Sequence, residues 1–205
     1  MSRQSPLALA ILALLYEEPM HPYQMQQLIK FRNKDEVINV RQRASMYQTI
    51  ERLLRDGLVA VRSTSRVEGR PERTVYELTP QGREATRTWL RSTLSTPTRE
   101  FPAFPAALAQ MALLEPADVQ RQLETRVEHL AAEVERIDGM LTMGVSDGVP
   151  RLFMLEVEYM RAVTQTELEW VRAVVDDLKA GRLAWDEAWL QQVMAGQPRS
   201  EEPMR

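Results

Sequence analysis

Between Arg41 and Leu78 the chain reads RQRASMYQTIERLLRDGLVAVRSTSRVEGRPERTVYEL. This stretch constrains the fold more than any other. Met46, Ile50, Leu53 and Leu54 recur at i, i+4, i+7 and i+8, the spacing of one buried helix face. Ser45, Gln48, Thr49, Arg52 and Arg55 carry hydrogen-bonding groups and are assigned to the opposite face. Gly57 ends the helix, because glycine takes the left-handed cap conformation without a Cβ penalty. Leu58-Val59-Ala60-Val61 starts a strand, Val67-Glu68-Gly69-Arg70-Pro71 is a turn, and Thr74-Val75-Tyr76-Glu77-Leu78 returns. A polar-faced helix leading into a basic hairpin is the layout of a winged helix-turn-helix. In that layout the helix enters a major groove and the hairpin tip lies on the adjacent backbone.

The residues around this stretch complete a small domain. Ser5 caps a first helix and Pro6 occupies its first position, where a missing N–H costs nothing. Residues 7–15 are apolar nearly all round, which places that helix inside a core. His21-Pro22 opens a second helix with Tyr23, Leu28 and Ile29 as expected buried positions. His21 is read as a helix-start residue that bonds locally. Thr79-Pro80 opens a fourth helix in the same cap-then-proline pattern. Arg41, Arg43, Arg52, Arg55, Arg62, Arg66, Arg70 and Arg73 all fall on the third helix, its entry or the hairpin. The first 82 residues carry an excess of Lys and Arg and the remainder an excess of Asp and Glu, although the whole chain has a net charge of −3. That asymmetry suits a nucleic-acid reader joined to a module that does not bind nucleic acid.

Two runs in this half resemble the PadR family of transcriptional regulators. One is Ser45-Met46-Tyr47-Gln48-Thr49-Ile50-Glu51-Arg52-Leu53 with Asp56-Gly57-Leu58-Val59. The other is Gly69-Arg70-Pro71-Glu72-Arg73-Thr74-Val75-Tyr76-Glu77-Leu78-Thr79 with Gly82. Met20-His21-Pro22-Tyr23 resembles the family's turn between its first two helices, with Pro22 where Gly is more usual. The resemblance covers roughly the first half of the chain. It implies a DNA-binding repressor released by a small molecule or cellular signal, and a Tyr47 hydroxyl that reaches DNA phosphate.

The second half is periodic. Val119, Leu123, Val127, Leu130, Val134, Ile137 and Leu141 are spaced 4, 4, 3, 4, 3, 4, and from Leu123 onward this is a heptad seam. After Gly144 to Gly148, a second long helix over about 150–180 has apolar positions that include Leu152, Leu155, Tyr159, Val163, Trp170, Val174 and Leu178. Such a helical hairpin exposes much apolar surface alone, so a second copy is expected to cover it. Trp185 and Trp189, on a short final helix, are expected to seal the end.

The sequence therefore leads to a mainly α chain with a small β-hairpin. Residues 1–94 are expected to form the winged helix-turn-helix, 95–103 a linker, 104–196 an antiparallel helical dimerisation domain, and 197–205 a disordered tail. Expected DNA contacts are Arg41, Arg43, Ser45, Tyr47, Gln48, Thr49, Arg52, Arg70 and Arg73. Expected dimer contacts are Leu123, Val127, Leu130, Val134, Ile137, Leu141, Leu155, Val163 and Trp170. Phe104, Tyr159, Met160 and Trp170 are aromatic and Met candidates for an effector site. The partners are double-stranded DNA with a pseudo-palindromic operator, a second copy of the chain and a small-molecule effector. The competing reading is a winged helix used as a protein-interaction platform. An enzyme is disfavoured by the lack of a Gly-rich phosphate loop, a nucleophile elbow or a metal-ligand cluster. No cofactor is expected. The absence of cysteine removes thiolate metal sites and disulfides. The apolar run 7–15 is too short to span a bilayer, and the expected location is cytoplasmic.

Overall fold

The computed structural model describes residues 5–40, 43–65 and 73–196. The elements are α1 (Pro6–Glu17), α2 (Pro22–Phe31), α3 (Arg43–Arg55), β1 (Val59–Ser65), β2 (Arg73–Leu78), α4 (Pro80–Ser95), α5 (Ala103–Leu108), α6 (Pro116–Ser146), α7 (Leu155–Lys179) and α8 (Glu187–Gly196). The chain divides into two compact units, Met1–Arg99 and Glu100–Arg205. Among the described residues, no helix is long and apolar enough to cross a membrane.

The first unit is built on caps. Ser5 Oγ accepts from the Ala8 N–H at 3.2 Å, and Thr79 Oγ1 accepts from the Gly82 N–H at 2.9 Å. Each satisfies one of the amide donors left over in a first helical turn. His21 caps α2, its Nδ1 accepting from the Tyr23 N–H at 3.1 Å. α1 is enclosed as its composition requires, with Ala8, Ile11, Leu12 and Leu15 in a core shared with Met25, Ile29, Met46, Ile50, Leu53 and Val59. Tyr23 corrects the expected pattern of α2, being more than half exposed while Met25 is fully buried. The inward positions are Pro22, Met25 and Ile29, and Tyr23 falls outside that stripe.

α3 ends through paired bonds. The Leu58 N–H donates to the Leu53 carbonyl and the Gly57 N–H to Leu54, both at 2.9 Å. This cap needs a left-handed residue, and Gly57 supplies it at φ +70°. β1 and β2 pair antiparallel from Val59 opposite Leu78 to Ser65 opposite Arg73, with an irregularity between Val61 and Ser63. Met20, between α1 and α2, adds a single bridge. Its N–H donates to the Tyr76 carbonyl at 3.0 Å and its carbonyl accepts from the Tyr76 N–H at 3.1 Å. The hairpin is thus tied to the start of α2 through its backbone. The expected turn 67–71 lies outside the described residues, as does the expected tail.

In the second unit α6 and α7 form an antiparallel pair, with Val119, Leu123, Val171, Val175 and Leu178 at its core. Arg161 to Asp138 at 2.8 Å and Lys179 to Glu124 at 2.9 Å span the two helices. α5 is followed by a single 3-10 turn at Met111–Leu113. Trp185 packs on the core and donates its Nε1–H to the Leu114 carbonyl at 2.9 Å. Trp189 stays about half exposed.

Gly82, in the first turn of α4, is in close contact with the hairpin root: a Cβ there would lie 2.0 Å from the Leu58 carbonyl oxygen. Gly82→Ala is expected to cost about 2 kcal/mol or more, lowering Tm by roughly 10 °C for a unit of this size. A thermal melt unchanged from wild type would contradict this placement.

Candidate nucleic-acid interface

α3 presents two distinct faces. Met46, Ile50 and Leu53 are buried, as their spacing requires, and Leu54 packs partly against the same core. Thr49 lies at i+3 from Met46 and joins the inner stripe at 7% exposure. Its hydroxyl donates to the Ser45 carbonyl at 2.7 Å, which removes the cost of burying it. The expectation that Thr49 meets DNA is therefore corrected: it is a core residue bonded to its own helix. Ser45 is half-buried. Arg52 is half-buried too, with Nε shut away from solvent and without a hydrogen-bond partner among the described residues.

The open stripe of α3 is Tyr47, Gln48, Glu51 and Arg55. Glu51 and Arg55, one turn apart, form no ion pair among the described residues, and both are exposed. Tyr76 of β2 lies against this stripe. Its phenol is pushed above the usual tyrosine value by burial, then by the neighbouring Tyr47 and Glu51. The hairpin root and the open face of α3 are thereby coupled.

A small, shallow notch lies between α2 and α3, lined by Pro22, Tyr23, Gln26, Met46 and Tyr47. Gln26 Nε2 donates to the Val40 carbonyl at 3.0 Å and holds the connection between the two helices against α2. Two partly exposed tyrosines thus flank the notch. Tyr23 was missed by the sequence reading. The signal was present in the spacing of Pro22, Met25 and Ile29, which leaves residue 23 outside.

Arg73, the first residue of β2, is exposed, and its charge reaches the start of α2. His21 is held below the usual histidine value, first by burial and then by Arg73. Arg41 and Arg70 lie outside the described residues. Arg43 is the first residue of α3. The surface that emerges holds donors and acceptors suited to base edges (Gln48, Glu51, Arg55) beside groups suited to phosphate (Tyr23, Tyr47, Arg73). Among the described residues no cluster of His, Asp and Glu could hold a metal ion.

Residues 11–88 match the family model described as the transcriptional regulator PadR-like family. Over these residues the chain is similar to that family. The family is one of transcriptional regulators rather than enzymes. Bacillus subtilis PadR in complex with operator DNA aligns with a TM-score of 0.68 at 16% identity, over 85% of this chain and 99% of that one. The same protein in complex with p-coumaric acid aligns with a TM-score of 0.65 at 14% identity, over 86% and 99%. The Vibrio cholerae virulence activator AphA aligns with a TM-score of 0.64 at 20% identity, over 85% and 98%. At these identities the likeness is one of fold. A comparison with curated proteins returned no match.

The sites assigned to the second unit divide. Leu123, Val134 and Ile137 of the heptad are buried within their own chain, and Val127, Leu130 and Leu141 are half-buried. The first three are corrected: α7 already covers them, so they offer nothing to a second copy. Leu155 at 45%, Val163 at 47% and Trp170 at 47% remain open, with Tyr159 at 70%. Phe104 and Trp170 meet edge to face, with ring centroids 6.4 Å apart. The Arg126 guanidinium lies 3.5 Å from the Phe104 ring centre and is paired with Glu167. Tyr159 and Met160 stand at least ten residues along α7 from Trp170, about 15 Å of helix, so the four effector candidates do not form one site.

His21 can cap α2 only while Nδ1 is unprotonated. A histidine whose folded value is depressed stabilises the fold fully above about pH 6.5, and that contribution is lost as pH falls below it. His21→Asn, which caps without titrating, is expected to lose less Tm than wild type between about pH 7.5 and 5.5. Equal losses in the two proteins would contradict the cap.

Proposed function

We propose that this chain is a sequence-specific DNA-binding transcriptional regulator that works as a homodimer. The observation that carries the reading is the open Tyr47–Gln48–Glu51–Arg55 stripe of α3 within a PadR-like domain. Gln48 and Arg55 suit adenine and guanine edges, and Glu51 accepts from the cytosine amino group. Tyr23, Tyr47 and Arg73, with Arg41, Arg43 and Arg70, serve the phosphates, which give affinity without sequence preference. The operator complex of Bacillus subtilis PadR supports this assignment by likeness of fold.

The dimer contact we propose is the outer stripe of α7: Leu155, Tyr159, Val163 and Trp170. Four large apolar side chains along one exposed helix face are costly in water and are covered by a second copy. Two-fold symmetry then sets two α3 helices on half-sites about one helical turn apart, roughly 34–36 Å or a multiple of it.

We further propose repression, released by a small molecule. The p-coumaric acid complex of PadR is the support for an effector of this kind. Phe104 and Trp170, with Arg126, are the aromatic surface assigned to it here. An effector acts only by binding the DNA-competent and DNA-incompetent dimers with different affinity.

Fluorescence anisotropy with duplexes from the chain's own promoter tests the reading. Gln48→Ala is expected to lose about 1–3 kcal/mol on the operator and to relax specificity there. Arg73→Ala is expected to weaken operator and scrambled DNA alike and to lower the salt slope by about 1. Equal wild-type affinity for operator and scrambled duplex would overturn the reading and favour a protein partner for this face.

A further inference from the structure

A second cluster of positive charge lies on elements the proposed DNA contacts do not use. Tyr16, in the last turn of α1, faces Arg83 and Arg87 on α4. Arg87 Nη2 donates to the Tyr16 hydroxyl at 2.6 Å. The Arg83 guanidinium lies 4.7 Å from the centre of the Tyr16 ring and that of Arg87 5.8 Å. Two like charges are held on one aromatic ring, one helical turn apart.

Neither arginine has a carboxylate partner among the described residues, although carboxylates stand next to the cluster in sequence. Glu17 is engaged by both terminal nitrogens of Arg32, at 2.6 and 2.7 Å. Glu84 turns along α4 to Arg91 at 3.8 Å. Glu18 accepts from Gln24 at 3.3 Å. The local acids are directed elsewhere, and the repulsion between Arg83 and Arg87 is left without a negative charge.

The groups that remain are donors. The Tyr16 oxygen accepts from Arg87, which frees its own O–H to donate outward. The two guanidiniums hold this phenol below the usual tyrosine value, with the Arg87 hydrogen bond as the largest cause. Each guanidinium presents a planar fork that matches an oxyanion through paired hydrogen bonds. A phosphate group has the oxygens to meet both forks and the hydroxyl together. A monoester also carries close to two negative charges, against two positive ones here.

We propose that Tyr16, Arg83 and Arg87 form a seat for a phosphate group. The phosphate comes either from a free phosphorylated small molecule or from the DNA backbone beyond the α3 contact. Both sources share the chemistry and differ in what they couple to.

The test is a calorimetric titration of the full chain with inorganic phosphate at fixed ionic strength. Saturable binding is expected. Arg83→Gln and Arg87→Gln should each weaken it about tenfold, the loss of one charged hydrogen bond. Arg91→Gln, whose arginine is already paired with Glu84, should leave it unchanged. Tyr16→Phe keeps the ring and removes the donor, so it reads the hydroxyl separately should an arginine variant melt early. The same variants on DNA identify the source. A fall of about 0.9 in the slope of log K against log salt assigns the seat to a backbone phosphate. An unchanged slope with weakened phosphate binding assigns it to a free ligand. No phosphate binding in wild type together with an unchanged slope in the variants overturns the proposal. Loss of all DNA binding by wild type would sink the regulator reading but leave the phosphate titration decisive for this seat.

Discussion

Thr79 holds the point where α3, the hairpin and α4 meet. Its hydroxyl reaches the Gly57 and Leu58 carbonyls at 2.8 and 3.1 Å and accepts from the Gly82 N–H, while its own N–H donates to Leu58 at 3.2 Å. One side chain thus serves the end of one helix, the root of the hairpin and the start of another. These groups are partly shut from water, where unmet hydrogen bonds are expensive. Gly82 lets α4 begin against the Leu58 carbonyl, with no room for a Cβ. The end of α3 is fixed there in space, and its buried stripe then fixes its rotation. Tyr47, Gln48, Glu51 and Arg55 are left to face outward along its length.

That geometry separates two kinds of chemistry. In the proposed reading the open stripe of α3 carries the groups that meet base edges. The notch beside α2 and the first residue of β2 carry the groups proposed for phosphate. Backbone contacts set register, and base contacts then select sequence within that register. The Met20 bridge to Tyr76 matters because it ties the start of α2 to the hairpin, the two elements to which the proposal gives phosphate contacts. The depressed histidine at that junction makes the frame sensitive to mild acid.

Much of this was legible in residue order, and the failures have physical causes. Ser5, Thr79 and Gly57 announced their caps because few residue types satisfy those positions. Met46, Ile50 and Leu53 announced the inner face of α3. Thr49 did not, since a threonine bonded to its own helix is as buriable as a valine, and polarity alone misassigned it. The Met20 bridge was invisible because a single pair of backbone bonds leaves no periodic trace. α7 misled differently. It carries two interleaved apolar stripes: Val157, Leu168, Val171, Val175 and Leu178 face α6, while Leu155, Tyr159, Val163 and Trp170 face out. Periodicity finds apolar positions but does not say which stripe the same chain will cover. The heptad of α6 was real, and its partner was α7 of its own chain.

In the proposed dimer the outer stripe of α7 pairs two readers, which the proposal needs because one α3 helix meets too few bases to find a site in a genome. Hydroxyl-radical footprinting of wild type and Val163→Glu on promoter DNA tests that pairing most directly. For wild type the account requires two protected segments on one face of the duplex, about 10 base pairs or a multiple apart. For Val163→Glu it requires their joint loss at the same protein concentration. A single protected segment with wild type, or two segments undisturbed by the buried charge, would contradict it.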